Sequence, residues 1–231
     1  MTNKNTFSLL DEQVYKRRAE DSKFHNIYDG FDYTKYESNV KCGGGFRKEY
    51  WTDLFEEIKP SLIIELGAYL GFTSVLMSQL CKKYHDDFRI FSVDTWTTCW
   101  HYNDVLNLKN GYPTTYYQYI ANLHHAGFEK NVYPIPLPTS VAFNNPIKES
   151  LDNLNLQVDL IYVDAGHDFF SVYSDCANYY HLLKPGGVMI GDDFTGSPGV
   201  AQAVQEFCDV YGLTFTHDDI NWRIDKKNET N

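Results

Sequence analysis

Acidic side chains stand at or next to the ends of four apolar runs of the chain. Glu65 stands next to last in SLIIEL, Asp94 ends FRIFSVD, Asp164 ends VDLIYVD, and the pair Asp192 and Asp193 ends GGVMIGDD. In open α/β sheets, ligands bind beyond the carboxyl ends of the strands, near the point where strand order reverses. One such acid would mean little, because Asp and Glu also cap helix starts. Four together carry more weight. After Glu65 comes the turn Gly67-Ala68-Tyr69-Leu70-Gly71, followed by Phe72 and Thr73. Gly67 permits a tight backbone turn under a ligand, and Gly71 lets the next helix pack close. The glycines are four positions apart, so this is not the GxGxxG dinucleotide fingerprint. A pyrophosphate wants a bare helix N-terminus; an acid before the turn repels phosphate and attracts an ammonium or sulfonium cation. Asp94 is placed to accept hydrogen bonds from both hydroxyls of a ribose.

The elements that must position these acids follow from pattern. Short, continuous apolar runs read as strands buried on both faces. They alternate with helical patterns at RKEYWTDLFEEIK, TSVLMSQLCKKYH, residues 115–126, IKESLDNLN, SVYSDCANYYHLL and GVAQAVQEFCDVYG. Such alternation predicts an α/β fold with a mostly parallel sheet and helices on both faces. Two weaker strands, LTFTH and NWRID, close the pattern. Residues 1–45 are polar and tyrosine-rich, with a helix expected over 8–20 and a glycine run at 43–45. They are read as an N-terminal cap, residues 46–225 as the main domain and 226–231 as a frayed tail.

Composition narrows the chemistry. Of 231 residues, 20 are basic and 31 acidic, a formal net charge of −11 that repels a phosphate backbone and opposes nucleic acid as substrate. The run Lys16, Arg17, Arg18 is too short to reverse this. Five scattered cysteines without a CxxC pair argue against a zinc site or a disulfide framework and for a reducing compartment. With no apolar leader and no run of 18 apolar residues, a soluble, cytoplasmic protein without a membrane partner is expected.

The stretches IIELGAYLGFTSVLMS, FSVDTW and VDLIYVDAGHDFFSVYSDCANYYHLLKPGGVMIGDDF resemble the class I S-adenosylmethionine-dependent methyltransferases. More narrowly, they are similar to the small metal-dependent O-methyltransferases that include macrolide sugar methyltransferases and the cephalosporin-pathway protein named a hydroxylase. The resemblance covers roughly residues 47–210. It implies a Rossmann-like, seven-stranded sheet with an N-terminal helical cap. It also implies transfer of a methyl group to a small-molecule hydroxyl, a sugar first and a catechol-like diol second. Glu65 and Gly67 would then lie beside the methionine part of the cofactor, with Gly71 at the following helix, Asp94 at the ribose, and Thr139 and Ser140 near the adenine; Tyr69, Thr73, Trp96 and Asp164 are counted with the cofactor-binding residues. Asp164, Asp192 and Asp193 match metal-binding carboxylates, and His167 matches a histidine near the acceptor. In that family's strand order the ends at Asp164 and Asp192 are neighbours, about 4.8 Å apart. Carboxylates so crowded repel unless protonated or neutralised. An all-oxygen cluster suits Mg2+, with Mn2+ or Ca2+ as alternatives. Asp164 or His167 would take the acceptor's proton; an imidazole titrating near about 6.5 suits that task.

The connection from Trp96 to Gly127 is long enough for a lid, with Trp96, Trp100, His101, Tyr102 and Tyr112 as candidates to cover the adenosine. A tyrosine-rich surface helix is the competing view, and His124 and His125 read as ordinary helix residues. Two other functions stay open: a catalytically silent cofactor-binding subunit, and a nicotinamide-dependent oxidoreductase. The sequence leaves a homo-oligomer open.

Overall fold

The apolar runs become parallel strands because a strand covered by helices on both faces has no wet side on which to alternate. A computed structural model describes residues 6–16, 28, 30–40, 47–97, 108–109 and 112–228. In chain order it shows α1 (Thr6–Lys16), α2 (Lys48–Ile58), β1 (Leu62–Leu66), α3 (Phe72–Cys81) and β2 (Arg89–Asp94). A two-residue hairpin, β3 (Leu108–Lys109) and β4 (Tyr112–Pro113), precedes α4 (Thr114–Ala126) and β5 (Val132–Pro136). Then come α5 (Thr139–Ala142), α6 (Lys148–Leu154), β6 (Val158–Val163), α7 (Phe169–Tyr179), β7 (Leu183–Gly191), α8 (Pro198–Tyr211), β8 (Thr216–His217) and β9 (Trp222–Asp225).

The main sheet has seven strands in the order β5-β2-β1-β6-β7-β9-β8, and β9 alone runs antiparallel to its neighbours. Strand order reverses between β1 and β6: the chain steps from β1 outward to β2 and β5, then returns to β6 and β7 on the other side. This matches the expected mostly parallel, class I methyltransferase-like sheet.

Two apolar layers sandwich it. On one face Ile63, Ile90, Leu160 and Ile190 pack with Trp51 and Phe55 of α2, Met77 and Leu80 of α3, and Tyr119 and Leu123 of α4. On the other, Ile64, Leu66, Val93, Ile161 and Val163 meet Leu151, Val172, Cys176, Val204 and Phe207 of α6, α7 and α8. At the antiparallel edge the ring of Trp222 packs against Gly191, where a Cβ would approach ring atoms to 2.3 Å.

The N-terminal helix is not placed over the acids. Leu10 and Val14 join the second layer. Asp11 pairs with Arg89 at 2.8 Å, and the Arg89 guanidinium lies 4.9 Å from the Tyr133 ring. Arg89 opens β2 while Asp94 ends it, so this contact of α1 lies at the opposite end of the strand from Asp94. Residues 31–40 take another course, alongside α4. Tyr33 stacks on His124 with centroids 3.7 Å apart, and a ring nitrogen of His125 is 2.7 Å from the Tyr36 carbonyl oxygen. Both histidines thus serve packing, as expected of ordinary helix residues.

Arg17 and Arg18, the glycines at 43–45, Cys42 and Cys99, and the lid candidates Trp100, His101 and Tyr102 lie outside the described residues. Cys81, Cys176 and Cys208 are free and buried. Among the described residues no helix is long and apolar enough to cross a membrane.

Candidate active site

Backbone hydrogen bonds draw the strand-end residues into one line. Gly67 N–H donates to the Val93 carbonyl (2.9 Å), Asp164 N–H to Leu66 (2.7 Å) and Asp192 N–H to Val163 (3.3 Å). Each bond extends the parallel register one residue past β1, β6 and β7, so Asp94, Gly67, Asp164 and Asp192 form the next row across the sheet. Asp94 and Asp164 are two strands apart, roughly 10 Å by strand spacing, and Gly67 between them has no side chain. That gap lies at the point of strand reversal, where ligands of such sheets bind. A bare glycine floor between two acids suits a cationic ligand bearing hydroxyls, so the residues present fit a sulfonium nucleoside.

Strain concentrates on the same rim. Among the described residues five non-glycines have positive φ; Lys59 and Asn155 are helix C-caps, and Tyr69, Trp96 and Asp193 follow β1, β2 and β7. A left-handed non-glycine residue costs about 1–2 kcal/mol. Here hydrogen bonds hold the turns in place. Asp94 Oδ2 accepts from the Ala68 and Tyr69 amides (both 2.9 Å), and its Oδ1 accepts from the Trp96 amide (2.7 Å). Besides its expected place at a ribose, Asp94 therefore shapes the glycine turn. Trp96 was expected to cover the adenosine; it is instead buried, 2% exposed, and its indole donates to the Tyr69 carbonyl (2.8 Å). It braces the turn from behind. Tyr69 itself is exposed, and Thr73 lies half-buried in the first turn of α3.

Glu65 sits beneath the row. It is fully buried, and its Oε2 accepts from the Ser74 and Ser92 hydroxyls, both at 2.5 Å, while Oε1 has no hydrogen-bond partner. Burial pushes its carboxyl up to about 8, the serines opposing and Asp164 and Asp94 adding to the shift. The folded protein therefore keeps a proton that the unfolded chain releases near 4.5. Stability from this group is greatest below that value and falls as pH rises towards 8. Melting temperatures between pH 5 and 8 should show E65Q gaining on the wild type as pH increases. A constant difference between the two would mean that Glu65 is already ionised at low pH.

A second cluster lies beside the gap. His167 Nε2 is 2.7 Å from Asp193 Oδ2 and 3.5 Å from Asp164 Oδ1. One ligand atom from each of Asp164, His167 and Asp193 falls within 4.8 Å of the others. The Tyr162 hydroxyl donates to Asp164 Oδ2 at 3.0 Å. Burial raises the Asp164 carboxyl. Hydrogen bonds to Asp164 and then Asp193 raise the imidazole to about 10, burial opposing them. Two carboxylates with one imidazole make a mixed oxygen–nitrogen set, which suits Mn2+ or another transition ion better than the Mg2+ expected of an all-oxygen cluster. Of the three carboxylates expected to bind metal, Asp164 and Asp193 lie in this cluster. Asp192 turns Oδ1 to the Asp193 amide (2.8 Å), and burial together with Asp164 raises its carboxyl to about 7. His167 joins the set in its place.

The loops are fixed from outside. Asp168 caps α7 by accepting from the Phe170 and Ser171 amides (3.0 and 3.1 Å). The α8 start packs so near this loop that a Cβ on Gly199 would meet the His167 carbonyl oxygen at 2.8 Å. Thr139 opens α5 after the carboxyl end of β5, its carbonyl held by the Tyr179 hydroxyl (2.7 Å), and Ser140 beside it is exposed. Both lie beyond the same end of the sheet as the acids. Ser74, Ser92, Tyr162 and Asn122 were not singled out by sequence. Their only signal was a polar atom within an apolar strand or helix pattern.

Comparison with known proteins agrees with this architecture. Solved structures with the same fold include CalS11, a calicheamicin methyltransferase (15% identity, 77% of each chain covered, TM-score 0.57). TomG of Streptomyces achromogenes, an O-methyltransferase of tomaymycin synthesis solved with S-adenosylmethionine, aligns at 13% identity over 94% of this chain and 89% of its own, TM-score 0.52. An O-methyltransferase from Bacillus cereus solved with S-adenosylhomocysteine aligns at 15% identity over 98% and 93%, TM-score 0.50. No curated protein matches. A family model described as a methyltransferase domain matches residues 64–194, the span that holds every strand-end acid. The chain belongs to that family and is a class I S-adenosylmethionine-dependent methyltransferase.

Proposed function

We propose that the protein is a divalent-metal-assisted O-methyltransferase acting on a hydroxyl of a small molecule, with a sugar hydroxyl favoured over a catechol-like diol. The observation that carries this reading is the convergence of Asp164, His167 and Asp193 beside the glycine-floored gap. The sugar preference draws support from CalS11, which is named a TDP-rhamnose 3'-O-methyltransferase.

Methyl transfer from a sulfonium is an in-line displacement, so the chain must chiefly align the acceptor oxygen with the methyl and take its proton. Asp94 and Gly67 would hold the nucleoside on one side of Asp164. Asp164, His167 and Asp193 would hold a metal ion, whose chemistry when bound would be to polarise and orient an acceptor hydroxyl. Asp164 or His167 would take the acceptor's proton, His167 being able to coordinate an ion only as the neutral imidazole. Tyr162 keeps the Asp164 carboxylate in one rotamer by donating to Oδ2.

Two measurements test the proposal together. Calorimetry should show binding of S-adenosylhomocysteine and none of NAD. Turnover against a panel of sugar and catechol acceptors should drop at least tenfold in EDTA and return with Mg2+ or Mn2+. Full turnover in EDTA would remove the metal from the reading.

A further inference from the structure

Asn122 of α4 is fully buried and uses every hydrogen-bonding position of its amide. Its Oδ1 accepts from the Asn39 amide (2.8 Å) and from Gln118 Nε2 (2.9 Å). Its Nδ2 donates to the Asn39 carbonyl (3.2 Å) and to the Leu70 carbonyl (2.8 Å). Leu70 belongs to the glycine turn, immediately before the α3 N-cap Gly71. One side chain therefore joins a segment 83 residues upstream to the loop that floors the cofactor gap. Tyr119, one helical turn earlier on the same face, supports the same loop: a Cβ on Gly71 would meet its ring at 3.0 Å, and its hydroxyl is 3.2 Å from Ser74 Oγ. Gln118 adds a second tie to the upstream segment by donating to the Glu37 carbonyl at 2.8 Å.

We infer that Asn122 is a positioning residue for the cofactor turn, and that it makes cofactor affinity depend on the docked segment 36–40. An unpartnered buried carbonyl is unfavourable, so a loosened Asn122 lets Leu70, and with it Ala68 and Tyr69, leave the conformation that Asp94 also secures. Coupling of this kind is reciprocal: what orders the turn also orders Asn39. The inference rests on the cofactor reading above, and its test separates the two.

The probe is S-adenosylhomocysteine, with the full chain at a temperature well below each protein's melting point. N122A should bind it at least tenfold more weakly than wild type, and Q118A, which keeps the Leu70 contact, two- to fivefold more weakly. In wild type the ligand should slow hydrogen exchange at the Asn39 amide at least threefold, an effect that disappears in N122A. A purely structural role would lower melting temperature alone and leave affinity and ligand-dependent exchange unchanged. Folded N122A binding within twofold of wild type would overturn the inference, as would an Asn39 amide indifferent to ligand. If N122A fails to fold, unchanged affinity in Q118A overturns it equally. A wild type that does not bind the ligand at all would sink the cofactor reading itself.

Discussion

Replacing Gly67 with alanine is expected to weaken S-adenosylhomocysteine binding about 100-fold and to lower the melting temperature by roughly 6–12 °C. The added Cβ would sit 1.9 Å from the Asp164 carbonyl oxygen, 2.4 Å from its carbon and 2.7 Å from the Ala165 Cα. All three are backbone atoms, and the Asp164 amide is pinned to Leu66, so no side chain can swing aside. Gly67 also has φ +86°, where a side chain is strained. Overpacking of about 1–3 kcal/mol and left-handed strain of about 1–2 kcal/mol act together. Gly212 is the control: its φ is +63° but no atom lies within 4 Å of its Cβ, so G212A should show strain alone and unaltered affinity. If calorimetry gives G67A the affinity of wild type, the gap over Gly67 is not where the cofactor lies.

Asp164→Asn should reduce kcat by about 10²–10⁴, the span usual for loss of a positioned base, with S-adenosylhomocysteine affinity within threefold of wild type. The amide preserves volume and can still accept from Tyr162, so the row of strand ends keeps its spacing. What it loses is the negative charge that is placed to receive the proton and that, with Asp193, faces His167. His167 should respond as well. Hydrogen bonding to Asp164 is the largest cause of its raised proton affinity, so in D164N its titration, followed by NMR of the ring protons, should move down from about 10. Retained turnover above one tenth of wild type would assign the base elsewhere.

The parallel strands were legible because buried strands write themselves as uninterrupted apolar runs, and the ends of β2, β6 and β7 were legible because an acid closes or follows each run; Glu65 instead lies inside β1, which ends at Leu66. Helix positions followed from period and turn residues, to within a few residues. TSVLMSQLCKKYH was expected to be helical throughout, yet α3 ends at Cys81, where Lys82 to Tyr84 form a turn. What sequence could not show is which partner a polar group finds across the fold. Asp192 and Asp193 are equivalent as letters; only the left-handed backbone at Asp193, with φ 59°, sends one carboxylate to His167 and leaves the other on a backbone amide. Trp96 looked like a ligand-facing aromatic because loops expose their side chains, but the turn folds its ring inward against Tyr116 and Tyr119. Asp11 and Arg89 are 78 positions apart and carry no local pattern that pairs them.

The contact of Trp222 with Gly191 bears on how portable this active site is. Every acid of the row lies within residues 64–194, yet the strand leading to Asp192 and Asp193 is flanked by a partner that enters the chain 28 residues later. A minimal fragment cut to that span would leave β7 as a bare edge, open to aggregation. Transplanting the acids into another scaffold would therefore require bringing the C-terminal hairpin with them.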